Sequence, residues 1–179
     1  MTMTTKTLIV GFGNVLRGDD GFGVEVVKRL ACSALPPHVE ILDVGIGGMH
    51  FILKLMEGFT EAIVVDALKG QGVPGTLYIF PPPADDLRVQ AEEQIDPHVT
   101  EPVRAMQLAA ALGILPAQVT LVGCEPEDCE VRIGLTRAVD TAVDHAVEAI
   151  RQLVRAERDG NDNTAPRRTV SDLDCRGQL

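Results

Sequence analysis

Asp20, Asp43, Asp66 and His98 are the residues of this sequence whose types and positions could do chemistry together. Asp20 follows a glycine-spaced turn, Gly11-Phe12-Gly13-Asn14, that ends the apolar run Leu8-Ile9-Val10. Asp43 closes the run from Val39, and Asp66 closes Ala62-Ile63-Val64-Val65. If the three runs are parallel strands, all three acids gather at one edge of a sheet, where such folds bind ligands. A carboxylate closing a strand also serves as a turn former, so that role stays open for Asp43 and Asp66. Asp66 is the sharper candidate, because it ends a fully apolar run and must be satisfied by something. Asp19 and Asp20 exceed what one helix start needs, so Asp19 is expected to cap the helix and Asp20 to be a ligand. His98 precedes a helix start, whose positive end favours the neutral imidazole that binds metal. Two carboxylates and one imidazole with open positions suit borderline divalent ions such as nickel or zinc.

Other chemistries fit less well. The dinucleotide fingerprint GxGxxG fails after Gly13, where Leu16 stands in the third glycine's place, and no lysine completes a Walker loop. Two carboxylates at the same place would repel a pyrophosphate. Ser33 and Ser171 are the only serines, and neither sits in a GxSxG elbow. Cys124 is the one thiol placed to be a nucleophile, but no histidine is positioned to activate it. Cys32, Cys124, Cys129 and Cys175 form no CxxC pair and read as free thiols. His38, His50 and His145 read as structural or solvated.

The elements that must position these residues alternate. Strands are expected at Thr7–Gly13, Val39–Asp43, Glu61–Asp66, Thr76–Phe80 and Gln118–Gly123. Helices are expected from Gly21 to about Cys32, from Met49 to about Met56, after Thr100 as cap, and after Thr136 as cap. Their apolar stripes are Phe22, Val26 and Leu30 in the first, Val103, Met106 and Ala110 in the third, and Val139, Val143, Val147, Ile150 and Val154 in the last. The result is an α/β three-layer sandwich, a mostly parallel, mixed sheet of about five strands with helices on both faces. The glycine-rich link before Thr76 suits a hairpin or an edge pairing. The long polar stretch from Ala84 to Pro97 suits a functional or mobile loop. Residues 1–157 are expected to form one domain, and 158–179 a disordered tail.

With 45% hydrophobic and 23% charged residues, the 179-residue chain suits a globular protein with a single aliphatic core, since aromatics make up only 3%. Its net charge of −10 argues against nucleic acid and anionic membranes. The polar start and the glycine-broken apolar run after it fit neither a signal peptide nor a membrane span, which places the chain in the cytoplasm.

In order and spacing, GFGNVLRGDDGFG, Asp43-Val44-Gly45, Gly48-Met49, Ile63-Val64-Val65-Asp66-Ala67, Pro74-Gly75-Thr76, Asp96-Pro97-His98, Leu121-Val122-Gly123 and Ile133-Gly134-Leu135-Thr136 resemble the [NiFe]-hydrogenase maturation endopeptidases, over roughly Leu8 to Arg155. The resemblance implies an endopeptidase that removes a C-terminal extension from a hydrogenase large-subunit precursor after nickel insertion. The substrate's nickel is then the recognition element, and zinc or cadmium substitutes for it in the site. Asp20, Asp66 and His98 fall on the family's metal-binding positions, and Asp43 on an acidic position of the cleft associated with activity. The chain differs in having Asp20 where relatives often have Glu, and Ile46 where many have Thr. After His98, Val99-Thr100-Glu101-Pro102 departs from the usual run. The metal would act as template or as Lewis acid, and the protein as a monomer, so that a folded precursor can reach the cleft. The alternatives are a stand-alone metallohydrolase with its own zinc, and a non-catalytic nickel- or nucleotide-binding accessory module.

Overall fold

Strand β1 (Thr7–Phe12) is buried along its whole length, which is why no polar residue follows Thr7 in it and it does not alternate with polar residues. Its side chains divide by the two-residue period of a strand. Leu8, Val10 and Phe12 enter one core, and Ile9 enters another. The structure, a computed structural model, describes residues 5–70, 72–84, 87 and 101–159, the last four of these without their side chains.

After β1 a short 3-10 turn, Gly18–Gly21, leads into α1 (Phe22–Ala31). Then follow β2 (Val39–Gly45), α2 (Gly48–Leu55), β3 (Glu61–Ala67), β4 (Leu77–Phe80), α3 (Pro102–Ala111), β5 (Gln118–Cys124) and α4 (Arg137–Asp159). The sheet has five strands in the order β2-β1-β3-β5-β4. β1 pairs in parallel with β2 and β3, and β3 with β5, while β4 runs antiparallel beside β5. The expected mostly parallel, mixed α/β sheet is therefore present. The link between β3 and β4 is not a hairpin, because β5 lies between them. β4 takes the edge, as the glycine-rich link allowed.

α1 and α4 cover one face through Phe22, Val26, Leu30, Val139, Val143 and Ile150. The other face is covered through Phe51 and Leu55 of α2 and Ala105, Met106 and Ala109 of α3. Phe12 and Phe51 meet edge to face there, with ring centroids 5.7 Å apart. α3 thus buries Ala105, Met106 and Ala109 rather than the expected stripe, since Val103 and Ala110 are only partly covered. Its cap position is Glu101, in extended conformation with Pro102 in the first turn. The proposed cap Thr100 lies outside the described residues. α4 runs to Asp159, two residues past the expected end of the domain. Among the described residues no helix is long and apolar enough to cross a membrane.

Two glycines let α1 lie directly on the sheet. A Cβ on Gly11 would collide with the Gly23 carbonyl oxygen, and one on Gly23 with the carbonyl oxygens of Val65 and Phe12. The helix backbone therefore approaches β1 and β3 more closely than any side chain permits. This contact fixes where the turn before α1 can sit, and hence where Asp20 can sit.

Candidate active site

The strand order reverses direction at β1. The chain passes from β1 through α1 to β2 on one side, then through α2 back across to β3 on the other. Beyond the carboxyl ends of β1 and β3 the two connections diverge and leave a crevice. The turn at Gly13 opens it. Gly13 has φ 129°, and a Cβ there would collide with the Asp20 carbonyl oxygen. Only glycine lets the loop fold back so tightly over the turn that presents Asp20.

Asp20 and Asp66 line one cavity of about 340 Å³, together with Asn14, Arg17, Ile46 and Glu101. The Asn14 amide donates to Asp20 Oδ2 at 3.1 Å. The Ala67 amide donates to Asp66 Oδ1 at 2.9 Å. Burial pushes the Asp66 carboxyl up to about 7, and the negative charge of Asp20 pushes in the same direction. The Ala67 hydrogen bond opposes them, and Glu101 adds a further negative field. Among the described residues no cation offsets the burial of Asp66, and two carboxylates in one crevice are then best satisfied by a proton or by a shared positive ion. Among the described residues, no three His, Cys, Asp or Glu side chains converge closely enough to hold a metal ion by themselves. A metal would need a further ligand beyond this pair. His98, the sequence's candidate for that ligand, lies outside the described residues.

Asp43 reaches the same edge of the sheet but a different cavity. It sits in β2 opposite Gly11, is exposed, and accepts a hydrogen bond from the Gly45 amide at 3.0 Å. The adjoining cavity that it lines, of about 260 Å³, shares Gly13, Asn14 and Ile46 with the acidic one. The structure thus brings Asp20 and Asp66 together and leaves Asp43 next door.

Asp19 does not cap a helix. Neither the 3-10 turn nor α1 has a side-chain cap bond at its start. Instead Asp19 is fully buried and accepts from the amides of Glu127, Asp128 and Thr136 and from the Thr136 hydroxyl, at 2.6 to 3.0 Å. Burial alone would raise its carboxyl, but these four donors outweigh it and hold the group below the ordinary carboxylate range. The expectation failed because a cap is a local contact, and the donors that claim Asp19 come from more than a hundred residues away. Glu125 works in a similar way, accepting from the Gly70 and Gly72 amides and the Tyr78 hydroxyl.

The sequence did not single out Asn14, Arg17 and Glu101, yet all three line the acidic cavity. Asn14 and Arg17 belong to the same short motif as Asp20, and that nearness was the available signal. Glu101 had none, because its place depends on how the chain returns to the sheet. The rejected nucleophile stays rejected. Cys124 is fully buried, and burial, with Asp19 and Glu125 nearby, pushes its thiol up to about 12. His50 and His145 are exposed and His38 is partly covered. Cys32, Cys124 and Cys129 are free thiols.

The family model for hydrogenase maturation proteases matches residues 24–153. The chain is 32% identical over 169 residues to the hydrogenase 2 maturation protease of Escherichia coli (strain K12), covering 93% of this chain and 99% of that one. The structure of the hydrogenase maturating endopeptidase HybD from E. coli superposes with a TM-score of 0.71 at 31% identity, over 86% of this chain and 94% of that one. The [NiFe] hydrogenase maturation protease HycI from Thermococcus kodakarensis KOD1 superposes with a TM-score of 0.67 at 25% identity, over 86% and 95% of the two chains. A doubly wound sheet with an acidic crevice at its switch point, and matches that run nearly the full length of these proteases, lead to one conclusion: the chain belongs to the hydrogenase maturation protease family.

Proposed function

We propose that this protein cuts the C-terminal extension from a [NiFe]-hydrogenase large-subunit precursor once nickel has been inserted, and that it recognises the nickel the precursor carries. The observation that supports this most is the Asp20–Asp66 pair, two carboxylates in one crevice where the burial of Asp66 and the negative charge of Asp20 beside it favour a positive ion. A nickel ion already held by the client supplies that charge and completes its coordination with oxygen ligands and one imidazole. His98 is the third ligand in this reading. Glu101, three residues further on, lines the cavity, and three residues of chain span at most about 11 Å. Zinc or cadmium would occupy the same donors in place of nickel.

Asp20 and Asp66 then fix the client's metal-bearing end, which holds the peptide bond beyond it near the crevice. Positioning of this kind is worth several kcal/mol, of the roughly 7–11 that full orientation can supply. Asp43, exposed at the same edge of the sheet, serves as base or orienting group for the attacking water. Hydrolysis breaks the C–N bond, with the hydroxyl going to the carbonyl carbon and the proton to the leaving amine. The metal's share is either this template role or polarisation of the scissile carbonyl. The protein acts in the cytoplasm as a monomer, leaving the crevice open to a folded client.

The test is to incubate the purified protein with nickel-loaded and nickel-free precursor. Only the loaded form should be shortened, and Asp20→Ala should abolish the reaction. Equal cleavage of both forms would defeat the nickel-recognition reading, and full activity of the Asp20→Ala protein would defeat the assigned site. Metal analysis of the protein alone should find no bound zinc.

A further inference from the structure

The cavity next to the acidic crevice has a different character. Its wall is formed by the aliphatic side chains of Val15, Leu16, Val24 and Ile46, with one positive and one negative residue, Lys28 and Asp43, among its lining. At about 260 Å³ it falls below the roughly 300–1,000 Å³ range of small-molecule pockets and suits one side chain with its backbone. Val15, Leu16 and Ile46 are 42%, 56% and 57% exposed, so three large aliphatic residues stand open to water around one opening. The two cavities share Gly13, Asn14 and Ile46, so no more than a narrow wall separates the apolar space from the Asp20–Asp66 pair.

The rim is held in place by the backbone. The Leu16 amide donates to Asn14 Oδ1 at 3.0 Å, and the Leu16 carbonyl accepts from the Arg132 amide at 2.9 Å. The Gly13 amide donates to the Gly45 carbonyl at 3.0 Å, and the Gly47 amide to the Val44 carbonyl at 2.7 Å. Those bonds fix the turn that carries Ile46. A pre-shaped apolar space avoids most of the ordering cost of binding.

We propose that this cavity is a specificity subsite, taking an aliphatic side chain of the client peptide next to the scissile bond, with Ile46 as the wall between it and the acidic pair. The inference rests on the function proposed above. The occupant is aliphatic because the lining offers dispersion contacts and one charge of each sign, so a charged side chain gains no net field and loses its hydration. The client peptide is the occupant because the space adjoins the crevice that holds its metal-bearing end, across the shared residues Gly13, Asn14 and Ile46. Asp43 and Gly45 of β2 line this space, so a peptide that runs from the acidic pair toward β2 meets it.

The experiment uses the full chain and nickel-loaded [NiFe]-hydrogenase large-subunit precursors from the same genome. The residues flanking the cleaved bond are changed to Asp one at a time, and kcat/KM is measured for each. One position should lose on the order of 10- to 100-fold, mainly through KM, as expected for one aliphatic side chain denied its burial. Leu16→Lys should recover at least about tenfold on that precursor alone, and should cut the unsubstituted precursor more slowly. Leu16 is exposed, so the variant should melt with the parent. Ile46→Ala should raise KM for the unsubstituted precursor. Equal rates on all the substituted precursors, or a loss that Leu16→Lys does not relieve, would overturn the subsite alone. Failure of the parent protein to cut any unsubstituted, nickel-loaded precursor would overturn the function, and the subsite with it.

Discussion

Asp66 shows how one side chain is set against the fold that holds it. Its carboxyl titrates at about 7 in the folded protein against 3.8 when unfolded. Below pH 3.8 it is protonated in both states and adds nothing to the pH dependence. Between 3.8 and about 7 the unfolded chain has released a proton that the folded one keeps, so stability falls as the pH rises. Above about 7 the full penalty is present. Asp66→Asn removes it. The variant should be more stable than the parent at pH 8, by on the order of 3 kcal/mol, and the gain should vanish toward pH 4. Urea melts of both proteins at several pH values measure this, and a gain independent of pH would refute the assignment. The same variant should be inactive on precursor. That Asp66 and Asp20 reach one edge of the sheet was legible because each follows an apolar run or a glycine turn that sequence alone identifies. Asp43 was legible as an edge acid, but its separation from the pair was not, because neighbouring strands place their ends in register without deciding which crevice a side chain borders.

At the scale of elements, the contact of α1 with β1 and β3 decides where the site forms. Gly23→Ala sets a methyl group against the carbonyl oxygens of Val65 and Phe12, both of them backbone and unable to move aside. The helix must lift, at a cost of about 1–3 kcal/mol or more. A drop in melting temperature together with lost activity is the expected result, whereas Ala at an exposed helix position such as Lys28 should leave the melting temperature nearly unchanged. The helices themselves were legible from their stripes, and α1 and α4 bury nearly the residues the pattern named. α3 was displaced by about one position around its axis, because its face is chosen by Phe51 and Leu55 across the layer and not by its own sequence.

Across the whole molecule, long-range ties close the acidic edge. Asp19 joins the turn after β1 to the loop before α4 by four hydrogen bonds. Asp19→Ala leaves those donors without their acceptor and should cost on the order of 3 kcal/mol or more at neutral pH. Because its folded pKa is depressed, this stabilisation is present above 3.8 and is lost as the pH falls through the folded value. Guanidinium melts at pH 7 and at pH 3 should show the gap between parent and variant narrowing at the lower pH. An equal gap at both would mean that the charge of Asp19 contributes nothing.

The sequence by itself determined the alternation of strands and helices, the edge at which the acids collect, and the family resemblance, because each is written in local period, in glycine placement or in motif order. Tertiary structure alone decided three things: that β5 inserts between β3 and β4, that Asp19 ties down a distant loop, and that an aliphatic cavity opens beside the acidic one. Each depends on which distant backbone groups are brought within a few ångströms. Local pattern fixes the direction in which a side chain leaves its own element, and packing fixes what it meets there.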